Sequence, residues 1–306
     1  MTTLVTGHGL VGARAVALLR ARDEDVVVYD LAPPEPRPGI VAVRGDLLDG
    51  PALAAAVRRH RPDRILHTAG LLTPAGVARP QDTVQVNVMG TLNVLEAARL
   101  HAVPRVVLTS SVVVYDPAVP TARVSEDHPV GPRTVYAATK CSAEVLGRAY
   151  ARSFGFSFLT VRFAAVYGPA VRPGGGVSRV IHEALGAAIA TGRAGVKRRW
   201  PGRQDLLYAE DAASALVVAG FAGSPRHDTF NVGSGQPVTV AELATAIGAA
   251  AGGAEVRVVD PGMDANPDVV DAPLDLARAA DELGWRPSYD LGRGLAEHAA
   301  WLRARA

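Results

Sequence analysis

The chain has 306 residues, of which 48% are hydrophobic and 20% charged, enough apolar side chain for a large core shared by one or two lobes. Thirty-two basic against 30 acidic residues leave a net charge of +2, which gives no reason to expect nucleic acid or a membrane surface as a partner. The single cysteine, Cys141, excludes an internal disulfide, the start Met-Thr-Thr-Leu lacks the basic residues of a signal peptide, and no run nears the roughly 18 apolar residues of a membrane span, so a cytoplasmic protein is expected.

Short β-branched runs alternate with longer Ala/Leu/Arg-rich stretches of helical period. Leu4–Thr6, Val26–Tyr29, Val41–Val43, Ile65–His67 and Val106–Thr109 read as strands; Leu10–Arg22, Pro51–Arg59, Val84–His101 and Tyr136–Phe154 read as helices. Strands without polar alternation are covered on both faces, and β-α alternation implies an α/β fold with a parallel, doubly wound Rossmann-like sheet. Functional residues then belong just after the strands.

The first strand runs into Gly7-His8-Gly9-Leu10-Val11-Gly12 and a helix. In that context the first Gly permits a tight turn, the second lets backbone approach a pyrophosphate, and the third lets helix pack on strand. The second strand ends at Asp30, placed to bind the adenosine ribose hydroxyls and to repel a 2′-phosphate, so the expected cofactor is NAD rather than NADP. Asp46 and Leu47, after the third strand, meet the adenine edge, unless Asp46 is the N-cap of the next helix. Further on, Thr109 and Ser111 end an apolar strand, and Tyr136 and Lys140 stand four apart on one helical face. A free phenol ionises near pH 10, so a Tyr base at neutral pH needs its pKa lowered by about three units, roughly 4 kcal/mol, which a neighbouring ammonium favours. Ser111 is placed to hold the substrate oxygen or to cap the strand end.

After Tyr167 the pattern loosens through Gly168–Gly176, Gly192–Arg203 and Asp260–Pro273. The expected division is a cofactor-binding domain of residues 1–166, with 205–233 returning to it, and a smaller substrate lobe of 167–204 and 234–306. The eight histidines show no metal-ligand spacing, so no metal is expected, and His182 is a minor candidate for the substrate side.

The blocks LVTGHGLVG, ILHTAG, VVLTSSVVVYD, YAATKCSAE, VRFAAVYGP, LLYAEDAASAL and FNVGSGQPVTVAEL together resemble the extended short-chain dehydrogenase/reductase family, the NAD-dependent epimerase/dehydratases, over nearly the whole chain. The resemblance implies that Ser111, Tyr136 and Lys140 are catalytic. It also implies that Thr68, Ala69, Gly70 and Thr109 line the cofactor, that Asn87 supports the site, and that Lys140 holds the nicotinamide ribose. Relatives carry TGxxGxxG, one residue longer than the loop here, and pair two helices of each subunit, near Val84–His101 and Tyr136–Phe154, into a homodimer.

The candidate substrate contacts are Leu72, Ser111, Val112, Tyr136, Ala164 and Arg203. Relatives acting on nucleotide sugars place an Asn where this chain has Ala165, an Arg where it has Gln204, and an Arg where it has Asp260, so the usual diphosphate grip is depleted. Arg172, Arg193, Lys197, Arg198, Arg199 and Arg203 are either a solvated basic stretch or a replacement grip on carboxylate or phosphate. Sugar dehydratases carry an Asp-Glu pair where this chain has Val112 and Val113, so β-elimination is not expected. The leading expectation is hydride abstraction from a secondary alcohol of a sugar-like or hydroxy-acid substrate, the region from Pro173 to Asp211 being loosely similar to threonine dehydrogenase. The alternatives are a nucleotide-sugar 4-epimerase with non-standard phosphate contacts and a dinucleotide-sensing regulator, the latter disfavoured because Tyr136 and Lys140 are both retained.

Overall fold

The computed structural model describes residues 1–72, 78–170, 175–197, 202–259 and 271–305. Its strands are β1 (Thr2–Thr6), β2 (Asp25–Asp30), β3 (Ile40–Arg44), β4 (Arg64–His67), β5 (Arg105–Ser111), β6 (Ser157–Phe163), β7 (Ala165–Tyr167), β8 (Arg193–Lys197), β9 (Leu206–Tyr208), β10 (Thr229–Val232) and β11 (Glu255–Val259). Its helices are α1 (Leu10–Arg20), α2 (Gly50–His60), α3 (Pro80–Val84), α4 (Gly90–Leu100), α5 (Val135–Phe154), α6 (Gly176–Thr191), α7 (Ala209–Phe221), α8 (Val240–Ala250), α9 (Ala277–Leu283) and α10 (Leu291–Arg303).

Seven strands form one sheet in the order β10-β6-β5-β4-β1-β2-β3, every pair parallel. The Rossmann-like doubly wound sheet expected from the alternation is therefore present. Apolar side chains cover both faces. Val5, Val28, Leu66, Val107, Val161 and Phe230 face one side with Leu216 of α7; Leu4, Val27, Ile65, Val106 and Leu108 face the other with Leu53, Leu95 and Phe158. Gly147 of α5 is a packing requirement, because a Cβ there would overlap the Phe158 ring.

Local signals set the helix ends. Asp49 caps α2 by accepting from Ala52 N at 3.0 Å, and Thr134 caps α5 by accepting from Ala137 N at 3.2 Å. The α5 helix ends at Gly155 in the left-handed region, φ 78°. One expected helix differs. The segment read as Val84–His101 begins at Pro80 and is interrupted by a π turn, Gln85–Met89, before α4. Apolar spacing does not distinguish a π turn from an α turn, since the extra residue is absorbed within a single turn.

The later part of the chain adds two small parallel pairs, β7 with β9 and β8 with β11, over a separate core of Tyr167, Ile181, Leu185, Leu243, Ile247 and Leu295. Two buried carboxylates hold its loops. Asp205 accepts from Ser234 N, Ser234 Oγ and Gly235 N, and Asp211 accepts from Ser288 N, Ser288 Oγ and Tyr289 N. Among the described residues no helix is long and apolar enough to cross a membrane.

Candidate active site

The strand order reverses at β1 and β4, and the glycine loop lies at that reversal. Gly7 has φ 89°, and a Cβ there would press on Ala69 N at 2.6 Å; a Cβ on Gly12 would overlap Gly7 O. Gly9 is the opposite case, with nothing within 4 Å of where its Cβ would be. The α1 N-terminus at Gly9, followed by Leu10 and Val11, has no side-chain cap. Open space in front of free helix N–H groups fits the diphosphate of a dinucleotide. Thr68 Oγ1 reaches Thr6 O and Gly7 O, both at 2.9 Å, and fastens the loop to the end of β4.

Asp30 ends β2, and its Oδ2 accepts from His8 N at 2.7 Å while its Oδ1 accepts from Ala32 N at 2.8 Å. Asp46 is not the cap of α2, which is Asp49; its Oδ1 accepts from Leu48 N at 2.9 Å within its own turn. Leu47 is buried, and its carbonyl accepts from Asn93 Nδ2. Asn87, in the π turn, binds Leu71 through both its amide oxygen and its amide nitrogen and donates to Thr139 Oγ1 at 3.1 Å. A Cβ on Gly70 would stand 3.0 Å from Asn87 Oδ1 and 3.6 Å from Lys140 Nζ, so this glycine keeps the approach to Lys140 clear.

Ser111, Tyr136 and Lys140 meet at the end of β5. Ser111 stands close enough to Tyr136 to favour its ionised phenol, and Ser111 Oγ accepts from Val113 N at 3.4 Å, capping the 3-10 turn Val112–Val114. Of the two roles weighed for this serine, the structure shows the cap. Lys140 donates to Thr109 O at 2.9 Å, and its Nζ lies 5.9 Å from the centre of the Tyr136 ring. Burial pushes the phenol up to about 12, against the lowering effect of Ser111, and pushes the Lys140 ammonium down to about 8, against the raising effect of Glu144. His67, beneath them, bonds Thr6 Oγ1 at 2.6 Å and Thr91 Oγ1 at 3.0 Å, and burial holds it down to about 3, so it is a neutral strut.

Sequence reading missed the polar layer behind the triad. Ser110, Glu144 and Arg162 are all buried, and Glu144 accepts from both of the others. The signal available was the place of Glu144, four residues past Lys140 on the same helical face.

The remaining substrate candidates are dispersed. Leu72 is exposed, Val112 is half-buried, and Ala164 is buried with its N–H on Val232 O. Arg203 is exposed and already bonded to Glu242 Oε1 and Pro237 O, on the side of α8. Arg193 pairs with Glu255. His182 turns to His298, 3.1 Å away, rather than to the triad. Arg172, Pro173, Arg198, Arg199, Asp260, Pro261 and Gly262 lie outside the described residues. Among the described residues no group of three or more His, Cys, Asp or Glu is arranged for a metal.

The chain matches the NAD dependent epimerase/dehydratase family over residues 3–233. It is 34% identical to UDP-glucose 4-epimerase of Mycolicibacterium smegmatis over 323 aligned positions, covering 100% of both chains. It is 27% identical to mitochondrial L-threonine 3-dehydrogenase of Bos taurus, covering 94% of this chain and 79% of that protein. Its fold matches the NAD complex of Thermus thermophilus UDP-glucose 4-epimerase with a TM-score of 0.87, 28% identity and 100% of both chains covered. With the nucleotide-binding crevice and the Ser-Tyr-Lys cluster described above, the chain belongs to the NAD-dependent epimerase/dehydratase family of extended short-chain dehydrogenases, and it is an enzyme.

Proposed function

We propose that the enzyme oxidises a secondary alcohol on a sugar-like or hydroxy-acid substrate. The observation that carries this reading is the Tyr136 phenol, buried beside Ser111 at the strand end that Lys140 also reaches. NAD, when bound, would supply the hydride acceptor and a positive charge that favours the phenolate. Tyr136 then takes the hydroxyl proton as the carbinol hydrogen leaves, and Ser111 Oγ holds the same substrate oxygen. A phenol that burial raises to about 12 is no base at neutral pH by itself, so ionisation depends on nearby positive charge, which Lys140 provides from the same helix face. Lys140 also holds the nicotinamide ribose. Asp30 takes the adenosine ribose, Gly7, Gly9, Leu10, Val11 and Gly12 the diphosphate, and Asp46 and Leu47 the adenine edge. Val112 and Val113 carry no proton to transfer, so the site oxidises without eliminating water.

Epimerisation through a transient ketone needs the same residues, and full-length likeness to a UDP-glucose 4-epimerase favours it as the second reading. Free sugars, uronates, hydroxy acids and nucleotide sugars incubated with NAD separate the two. Accumulating NADH marks net oxidation; an altered substrate without NADH marks epimerisation. No change in any substrate would refute both.

The proposal assigns residues 1–166 and 205–233 to the cofactor and 167–204 and 234–306 to the substrate. It also includes a homodimer through α5 and α4 with the π turn before it, where Met89, Leu100, Val145 and Phe154 are exposed apolar side chains, and a cytoplasmic location, which the lone Cys141 suits.

A further inference from the structure

The end of β5 and the helix carrying Tyr136 and Lys140 are joined by one carboxylate. Glu144 stands one turn beyond Lys140 on α5, with its side chain 2% exposed. Its Oε1 accepts from Ser110 Oγ at 2.6 Å and from Arg162 Nε at 3.0 Å, and its Oε2 accepts from Arg162 at 2.7 Å and from Arg148 at 3.4 Å. Ser110 precedes Ser111, and successive side chains on a strand face opposite ways, so Ser110 points to the helix while Ser111 points to the reaction. Arg162 is the β6 residue in register with Ser110. It also donates to Glu126 O at 3.1 Å and lies 4.8 Å from the Tyr115 ring centre.

We propose that Glu144 is a positioning residue of this active site, fixing the strand that presents Ser111 to the helix that presents Tyr136 and Lys140. The proposal rests on the Ser111–Tyr136–Lys140 reading. A two-point bond to Arg162 makes the carboxylate a rigid bracket rather than a mobile counter-charge. The same carboxylate is the negative group that favours Lys140 as an ammonium. The other groups around Lys140 are His67 from β4, held neutral, and the uncharged Asn87, Thr109 and Tyr136. Around Glu144 stand Arg162, Arg148, Ser110 and, farther off, Tyr115. On the proposed reading, charge on Glu144 reaches Tyr136 through Lys140, whose Nζ lies 5.9 Å from the Tyr136 ring centre, and its geometry reaches Tyr136 through Ser110 and Ser111.

The test needs no substrate. Tyr136 ionisation is followed in the NAD-loaded enzyme by ultraviolet absorbance of its phenolate, as the signal that Tyr136→Phe removes. Glu144→Gln keeps the shape and loses the charge, so Lys140 gives up its proton at lower pH and Tyr136 ionises about one pH unit higher, a tenfold loss of phenolate at fixed pH. Ser110→Ala removes only the bracket's contact to the strand and moves the same titration in the same direction by a smaller step, about threefold in phenolate. Melting temperature is recorded for each variant, because a merely structural role would lower it without moving the Tyr136 titration. If Glu144→Gln does not fold, Ser110→Ala decides. An unchanged titration in every folded variant overturns the proposal and leaves the active-site reading standing. A wild-type enzyme with no Tyr136-dependent phenolate signal at any pH overturns the reading itself.

Discussion

The carboxylate of Asp30 is tied to the backbone N–H of His8 at 2.7 Å, so the end of β2 and the glycine loop are one rigid unit. Two consequences meet at this contact: the acidic group cannot swing away from the end of β2, where we propose that it meets the adenosine ribose, and the loop loses an anchor if the group is removed. Asp30→Ala is expected to weaken NAD about tenfold, in line with loss of a charged hydrogen bond of about 1.5 kcal/mol. It should also narrow the preference for NAD over NADP, because the charge that repels a 2′-phosphate is gone. Titration calorimetry with both cofactors checks this; an unchanged ratio of the two affinities would remove Asp30 from the ribose site.

Gly12 has no room for a side chain, because a Cβ would overlap Gly7 O and press on Thr68 Oγ1. Gly12→Ala should displace the loop from β4, lower stability by about 1–3 kcal/mol and weaken NAD severely. Gly9→Ala meets no atom of the protein, so its stability should stay near wild type while NAD binding falls, since the open space is where the diphosphate approaches. Thermal melts with and without NAD separate the two effects.

Tyr136→Phe removes the hydroxyl and leaves the ring packing. Turnover should fall by about 10²–10⁴, the usual span for a general base, while NAD affinity changes little. Stopped-time assays on the best substrate from the screen, with calorimetry for NAD, provide the check. Turnover within a few-fold of wild type would exclude Tyr136 as the base.

Lys140 carries an ammonium that burial lowers from 10.5 to about 8. Between those values the unfolded chain holds the proton and the folded chain does not, so this group's contribution makes stability rise with pH from about 8 to 10.5. Below pH 8 the buried charge costs at most about 3 kcal/mol, since one pKa unit is about 1.4 kcal/mol. Lys140→Met should therefore raise the melting temperature of the cofactor-free protein at pH 7 while abolishing turnover, an exchange of activity for stability. A lowered melting temperature would show that the bond to Thr109 O outweighs the cost of the buried charge.

The sheet was legible because Val26–Tyr29, Ile65–Leu66 and Val106–Leu108 carry uninterrupted apolar side chains, which suits strands covered on both faces. The placing of Gly12 against Gly7 and of Tyr136 with Lys140 on one helical face was legible too, because these residues stand at short fixed spacings along the chain. Contacts across long separations were not legible. Nothing near Arg203 in sequence announces Glu242 as its partner, and nothing near Glu144 announces Arg162. The assignment of a cap was legible in kind but not in place: both Asp46 and Asp49 have the right side chain, and the turn geometry chose Asp49. The π turn at Gln85–Met89 was hidden for a related reason, since the apolar pattern on either side of Asn87 is that of an ordinary helix.

The outer edge of β6 is closed by β10, a strand drawn from the chain after α6, β8, β9 and α7. During synthesis the first six strands of the sheet therefore emerge with a row of bare peptide groups along a largely buried, apolar border, and they cannot seal that border themselves. Fragments that stop before Thr229 would present this border to one another, so clumping, rather than a tidy half-enzyme, is the fate expected of prematurely terminated chains.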